Sequence, residues 1–332
     1  MFTNAGRMVQ SEPGAIIGPI SNVLGFILDF IFGLFYHLAP SVAFGLSVIV
    51  FTIIIRTLIL PLAIKMHKSM LAMRRIQPEM QKINDKYGNT KDPEKMRQKQ
   101  MEMQALYSKN KANPLGGCLP ALIQMPILLT LFNMFQRPHL YMTGLGDAYR
   151  QIAAHVMTVP NYAQYILDNF VLWGHRVPVG MDLDHRTQEG LVRLFSVYDD
   201  YDWANLFDLM PGLDVAYVTG VIDHINVLEH FATISLVSPA SFTSVSLIIA
   251  ILAVITTFTS SKIMMKNQAA TAPEGSTMQQ QQQIMQKMML YGIPVMMGFM
   301  AFTVPVAVSL YWIVGNIYQL CQHTILNKTI RF

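Results

Sequence analysis

Apolar residues gather into long windows separated by polar stretches, which is the pattern of membrane spans. A helix needs about 20 apolar residues to cross the hydrocarbon of a bilayer. Ser41 to Ile64 provides them with one interruption, Arg56, while Gly117 to Gln136 and Phe242 to Ser261 carry no charge. Met288 to Leu326 runs for 39 residues without Asp, Glu, Lys or Arg. That is too long for one span, and Pro305 near its middle predicts two short helices joined by a tight turn. The expectation is an all-α membrane protein with five transmembrane helices, at 41–64, 114–137, 241–262, 288–304 and 305–326.

Upstream, Ala15 to Leu38 is also apolar, but its polar and small positions are periodic. Ser21, Asn22, Gly25, Asp29, Gly33 and Tyr36 recur every three to four residues, leaving Ile20, Val23, Leu24, Ile27, Leu28, Ile31 and Phe35 opposite them. An N-terminal amphipathic surface helix over 15–40, lying on the outer face of the membrane behind a flexible stretch 1–14, fits this better than a sixth span.

Composition agrees: 52% of the 332 residues are hydrophobic and only 13% charged, a balance foreign to soluble enzymes. The basic residues set an orientation. The stretch Lys65 to Lys111 holds half of the chain's 24 Lys and Arg, and Lys262, Lys266, Lys287, Lys328 and Arg331 fall in two further polar segments. Between Pro138 and Ala240 acidic residues dominate. The positive-inside tendency makes 65–113, the loop 263–287 and the tail 327–332 cytoplasmic. It makes 138–240 external, with the N-terminus outside and the C-terminus inside. The two cysteines, Cys118 and Cys321, lie near cytoplasmic span ends, so no disulfide framework is indicated. Leu115-Gly116-Gly117-Cys118 is not a lipid-attachment box, because the apolar segment follows it, and Met1 to Pro13 has no signal-peptide run.

Residues 65–113 read as a cytoplasmic helical hairpin. Met70, Met73, Ile76, Met80, Ile83 and Tyr87 keep helical spacing, and Pro78 kinks this arm or starts a new helix. Asp92-Pro93 caps a second arm carrying Met96, Met103, Leu106 and Tyr107. Such a Met-lined basic surface suits either self-packing beside headgroups or docking of varied apolar partners. The long external segment alternates helical stretches, such as Tyr162 to Val171 and Gly190 to Tyr198, with turns. Asp199, Asp200 and Asp202 read as a solvated acidic loop rather than a cation site, and His224 with His230 are poorly spaced for a metal. Gln279 to Gln283 is a polar low-complexity run, and Ala269 to Ser276 a linker.

No nucleophile elbow, phosphate loop or zinc motif is present, and the spans contain no acid, which weighs against an intramembrane protease or an ion-driven pump. Neither a cofactor nor a metal is expected. What remains is Arg56, about 13 Å along the helix from Lys65. An arginine at such depth costs about 2.5–3.5 kcal/mol on insertion scales. It either snorkels to the headgroups or faces a wet cavity lined by polar side chains of other spans: Thr52, Gln124, Tyr311, Asn316 and Gln319 are available.

At these residues the chain resembles the YidC-type membrane protein insertases (the YidC/Oxa/Alb family). Thr-Ile-Ile-Ile-Arg-Thr-Leu-Ile-Leu-Pro-Leu (52–62) is similar to the family's arginine-bearing span. Ser69-Met70 and Gln77-Pro78-Glu79-Met80 resemble its hairpin. Ala105-Leu106-Tyr107, Asn113 to Pro120 and Ile123-Gln124-Met125-Pro126-Ile127 are the most specific match. Leu310-Tyr311-Trp312-Ile313-Val314-Gly315-Asn316 resembles the last span, with Gly315 where the family usually has Ser. The likeness covers roughly 17–140 and 231–327; the external segment between them, with its extra insertion, is much longer than the family's, and nothing is carried over to it.

The resemblance implies five transmembrane helices around a hydrophilic groove in the bacterial cytoplasmic membrane. It implies no enzyme activity, but insertion of nascent membrane proteins into lipid, alone or with the Sec translocon. A ribosome would dock through the hairpin and tail; DNA is not an expected partner. The groove arginine corresponds to Arg56, other groove positions to Thr52, Gln124 and Trp312, and the substrate-contacting aromatic pair to Tyr311 and Trp312. Asn316 lies one turn further on. The competing readings are a membrane-bound assembly chaperone without translocation activity, and a pore or lipid scramblase using the same groove.

Overall fold

The computed structural model describes residues 17–88, 92–113, 119–172, 185–266, 284 and 287–329. The glutamine run, the 269–276 linker, Cys118 and the first 16 residues lie outside them. The described residues are almost wholly helical, with one two-stranded hairpin, β1 (His230–Phe231) paired antiparallel with β2 (Ile234–Ser235). Among the described residues three helices are long and apolar enough to cross a membrane, Gly18–Tyr36, Pro40–Arg75 and Ser246–Met265; Leu122–Gln136 and Leu290–Met300 are shorter apolar helices.

The chain forms two compact units. One comprises Met1–Phe51, Ile127–Ile251 and Met300–Tyr311; the other comprises Thr52–Pro126, Leu252–Phe299 and Trp312–Phe332.

In the first unit, helix α1 (Ile17–Tyr36) buries Ser21 and Gly25 and half-buries Asp29 and Tyr36, while Asn22 and Gly33 of the same periodic set are exposed. Ser21, Leu24, Leu28, Ile31 and Phe32 are buried, while Val23, Phe26, Phe30 and Leu34 form an exposed apolar stripe. Gly25 is required where it stands, since a Cβ there would meet the Tyr141 ring at 2.6 Å. The Asp29 carboxylate accepts from the backbone N–H and hydroxyl of Thr143, at 2.7 and 2.6 Å. Gly25 and Asp29 therefore mark an edge that grips the chain between the spans. Two apolar faces, one packed and one bare, remain.

That intervening chain is a set of short helices: α6 (Thr143–Val156), α7 (Tyr162–Leu172), α8 (Gln188–Phe195), α9 (Asp200–Leu209) and α10 (Val215–Glu229). Aromatic packing closes it: Trp203 lies 5.1 Å from Phe195, 4.9 Å from Tyr198 and 6.1 Å from Phe207, centroid to centroid. The acidic cluster is not a loop. Asp199 caps α9, accepting from the Asp202 N–H while Asp202 accepts in return, and Asp202 is buried. The two histidines do separate structural work: His224 Nε2 meets the Tyr36 hydroxyl at 3.2 Å, and the His230 ring bonds the Asn226 carbonyl. The segment 236–240 pairs through its backbone with 301–307, around the turn at Pro305.

Helix α2 (Pro40–Arg75), in the second unit from Thr52 on, continues unbroken through Pro61 and Lys65 well past the apolar run. Pro78 starts a new helix, α3 (Gln77–Tyr87), and Asp92 caps α4 (Pro93–Lys109) by accepting from Glu94 N–H. Ile76, Leu106 and Ala112 form a small core, flanked by Met73, Met80, Ile83 and Tyr107. Ser69 closes its base, accepting from the Asn113 N–H at 3.0 Å. Helix α5 (Leu119–Gln136) follows. Helix α11 (Ser246–Lys266) carries the third apolar window. A π-helical turn at Met288–Gly292 leads into α12 (Ile293–Met300), and α13 (Val306–Thr329) ends the described chain. Helix α13 is long, but Asn316, Gln319, Gln322 and His323 dilute its apolar character.

Candidate functional site

Polar side chains of the second unit, on α2, α11 and α13, bond one another along the stretch of helix that holds Arg56. Helix α2 contributes Thr52, fully buried, then Arg56, half-buried one turn later, then Thr57. The Arg56 guanidinium does not climb away along its own helix. It lies against α13 at Gly315: a Cβ there would stand 2.7 Å from Nη2 and 3.3 Å from Cζ and Nε.

The same pair of helices meets again one position on. The Thr57 hydroxyl donates to the Ile53 carbonyl at 2.7 Å, so the Tyr318 hydroxyl, 3.1 Å away, is the donor to Thr57. The third wall is α11. Asn316 Nδ2 donates to Thr257 Oγ1 at 2.9 Å and more loosely to Thr256 Oγ1 at 3.4 Å. Both threonine hydroxyls spend their own protons on the carbonyls of the preceding turn. Gln319 Nε2 lies 3.1 Å from the Met264 sulfur. Further along, His67 and His323, both buried, stand edge to face with centroids 5.7 Å apart, and Asn327 bonds His323 at 2.9 Å. Within a span such groups have no water to fall back on, so the Thr57–Tyr318 and Asn316–Thr257 bonds each tie one helix to its neighbour.

Of the six residues singled out from the sequence, Arg56 and Asn316 come together through the neighbouring Gly315. Thr52 and Trp312 lie one helical turn from them on α2 and α13. Trp312 is buried. Gln124 is half-buried on α5 in this unit. Tyr311, almost fully buried, belongs to the first unit. Asn316 braces α13 to α11. Sequence reasoning passed over Thr57, Tyr318, Thr256 and Thr257. Adjacent threonines in an otherwise apolar span were the available signal. Among the described residues no group of three or more His, Cys, Asp and Glu could hold a metal. The α3–α4 pair carries an open pocket lined by Lys86, Tyr87, Lys95, Gln98, Met101 and Glu102. In it Lys86 and the Tyr87 hydroxyl both donate to Glu102, at 2.6 and 2.9 Å.

Comparison with known proteins matches the chain to a family. The family model described as 60Kd inner membrane protein covers residues 34–331. The chain is 27% identical to membrane protein insertase YidC 1 of Bacillus anthracis over 311 residues, 93% of this chain and 79% of that protein. It is 29% identical to membrane protein insertase MisCA of Bacillus subtilis over 279 residues, 84% and 68% of the two chains. A shorter stretch of 95 residues is 50% identical to YidC 1 of Halalkalibacterium halodurans, 29% of this chain and 37% of that one. With its model spanning nearly the whole sequence, the chain belongs to the 60Kd inner membrane protein family, the YidC/Oxa family.

Proposed function

We propose that this chain inserts nascent membrane proteins into the bacterial cytoplasmic membrane. A short substrate tail would move part of the way across through a hydrophilic groove, and the apolar segment would be released sideways into lipid. The observation that carries this reading is Arg56 itself: a guanidinium set within a span, against α13, among the hydroxyl and amide groups of α2, α11 and α13. A guanidinium is weakly hydrated, and in a low-dielectric surrounding it attracts an acidic residue in an entering tail over several ångströms. Polar neighbours and water lower the cost of bringing that tail to it. Burial of the substrate's apolar segment in lipid then drives the reaction forward, with no need for nucleotide hydrolysis.

Thr52, Gln124 and Trp312 are proposed to line the groove with Arg56, and Tyr311 to accompany Trp312 at the substrate. Five core helices, a cytoplasmic hairpin that meets the ribosome, cooperation with the Sec translocon, and the N-out, C-in orientation complete the reading. The relatives named as membrane protein insertases support it. In reconstituted vesicles, Arg56→Ala should abolish insertion of substrates with acidic tails; unchanged insertion refutes the groove charge. Photo-crosslinkers at Gln124 and Trp312 should capture ribosome-attached nascent chains. Capture of finished subunits alone would favour an assembly chaperone.

A further inference from the structure

We infer that Gly315 is the seat of the Arg56 guanidinium, a positioning residue that sets where the groove's charge stands and hence how strongly acidic tails are preferred. The inference rests on the insertion reading above and adds a residue to it.

The geometry is specific. Gly315 is buried in the interior of α13, a position where glycine is a poor helix former and supplies no side chain to pack. Its backbone is helical, so no unusual dihedral demands glycine. What it provides is space, and that space is taken by one group. The three heavy atoms nearest to a built Cβ are Nη2, Cζ and Nε of Arg56. A Cβ at 2.7 Å from a nitrogen is closer than such atoms approach, so any side chain at 315 must push the guanidinium away. Because the displaced group is the end of a flexible side chain, the helix itself need not move.

The neighbours limit where the charge can go. Thr57 and Tyr318 are bonded to each other, and the Asn316 amide is engaged by Thr256 and Thr257. The glycine seat therefore holds the cation against the backbone of α13, at the level where that helix is braced to α11. Coulomb attraction falls with distance, and roughly an ångström or two of displacement at a partly wet site changes binding of an acidic group on the order of five-fold.

The experiment measures, in reconstituted vesicles, insertion of two substrates that differ only in whether the tail carries an acidic or a neutral residue. The ratio of the two is the readout. Arg56→Ala should bring the ratio to about one; if the ratio stays at the wild-type value, the groove-charge mechanism fails and the seat with it. If Arg56→Ala acts as expected, Gly315→Ala should lower the ratio on the order of five-fold. A wild-type ratio in Gly315→Ala overturns the seat while leaving the role of Arg56 standing, and an equal loss for both substrates does the same. On an Arg56→Lys background, whose shorter ammonium does not reach the seat, Gly315→Ala should change the ratio far less. An equal change there shows that the glycine acts without the guanidinium and overturns the inference.

Discussion

Arg150 and Arg56 show two ways of housing a cation in one chain. Arg150, on α6 in the first unit, is met by opposite charge: its Nη1 lies 2.9 Å from Asp147 and its Nε 3.0 Å from Glu189. The Glu189 hydrogen bond raises its already high pKa. Arg56, in the second unit, is met by shape, its guanidinium occupying the space a glycine leaves open, with hydroxyls and an amide nearby. The surroundings of each follow from its solvent. The helices around Arg150 pack around an aromatic core, as soluble domains do. The helices around Arg56 are joined by single polar bridges between otherwise apolar surfaces.

The largest test of this contrast is Trp203→Ala. Removing an indole packed on Phe195, Tyr198 and Phe207 should cost about 3–5 kcal/mol. It should strip hydrogen-exchange protection from α8 and α9 of the intact protein in a membrane mimic. Retained protection there would mean that aromatic packing is not what closes this region. Arg150→Met should do much less. The arginine side chain is 39% exposed, its acids more so, and ion pairs of that kind contribute about 0–1 kcal/mol. A thermal shift as large as that of Trp203→Ala would break the comparison, by showing that Arg150 is a structural keystone.

The smallest effect belongs to the α3–α4 pair. Hydrogen bonds from Lys86, then Tyr87, hold the Glu102 carboxyl below its usual range, and Glu102 in turn raises the Lys86 ammonium. The carboxylate's contribution is therefore present above its unfolded pKa, about 4.3, and is lost as pH falls through the folded value. The ammonium's contribution is present below about 10.4 and is lost as pH rises through its raised value. Between these limits the difference in exchange protection of 77–109 between wild type and Glu102→Gln should be flat with pH. It should vanish on acidification, and a slope near neutrality would contradict the pairing.

Much of this was legible in the sequence. Pro305 divided the last apolar window, Pro78 and Asp92-Pro93 marked helix starts, and Arg56 stood out because charge is expensive in a span. These signals are local: a proline's missing N–H, a cap's carboxylate and a charge's desolvation depend on residues close in the chain. The acidic cluster at Asp199–Asp202 was harder, because a capping box and a solvated loop share a composition and differ only in backbone geometry. Helix α1 was harder for a related reason. Period shows which positions share a face, but the partner decides whether a polar face meets water or, as with Asp29 and Thr143, protein.

The sequence by itself determined that apolar helices dominate this chain, that one of them carries a lone arginine, and which family it belongs to. Only the tertiary structure decided where that charge rests. Gly315 is more than 250 residues away along the chain and has no side chain, so nothing in the order of residues shows that a guanidinium fills its place. Packing settled it, because two atoms cannot share the same space and the absent Cβ left room for one group.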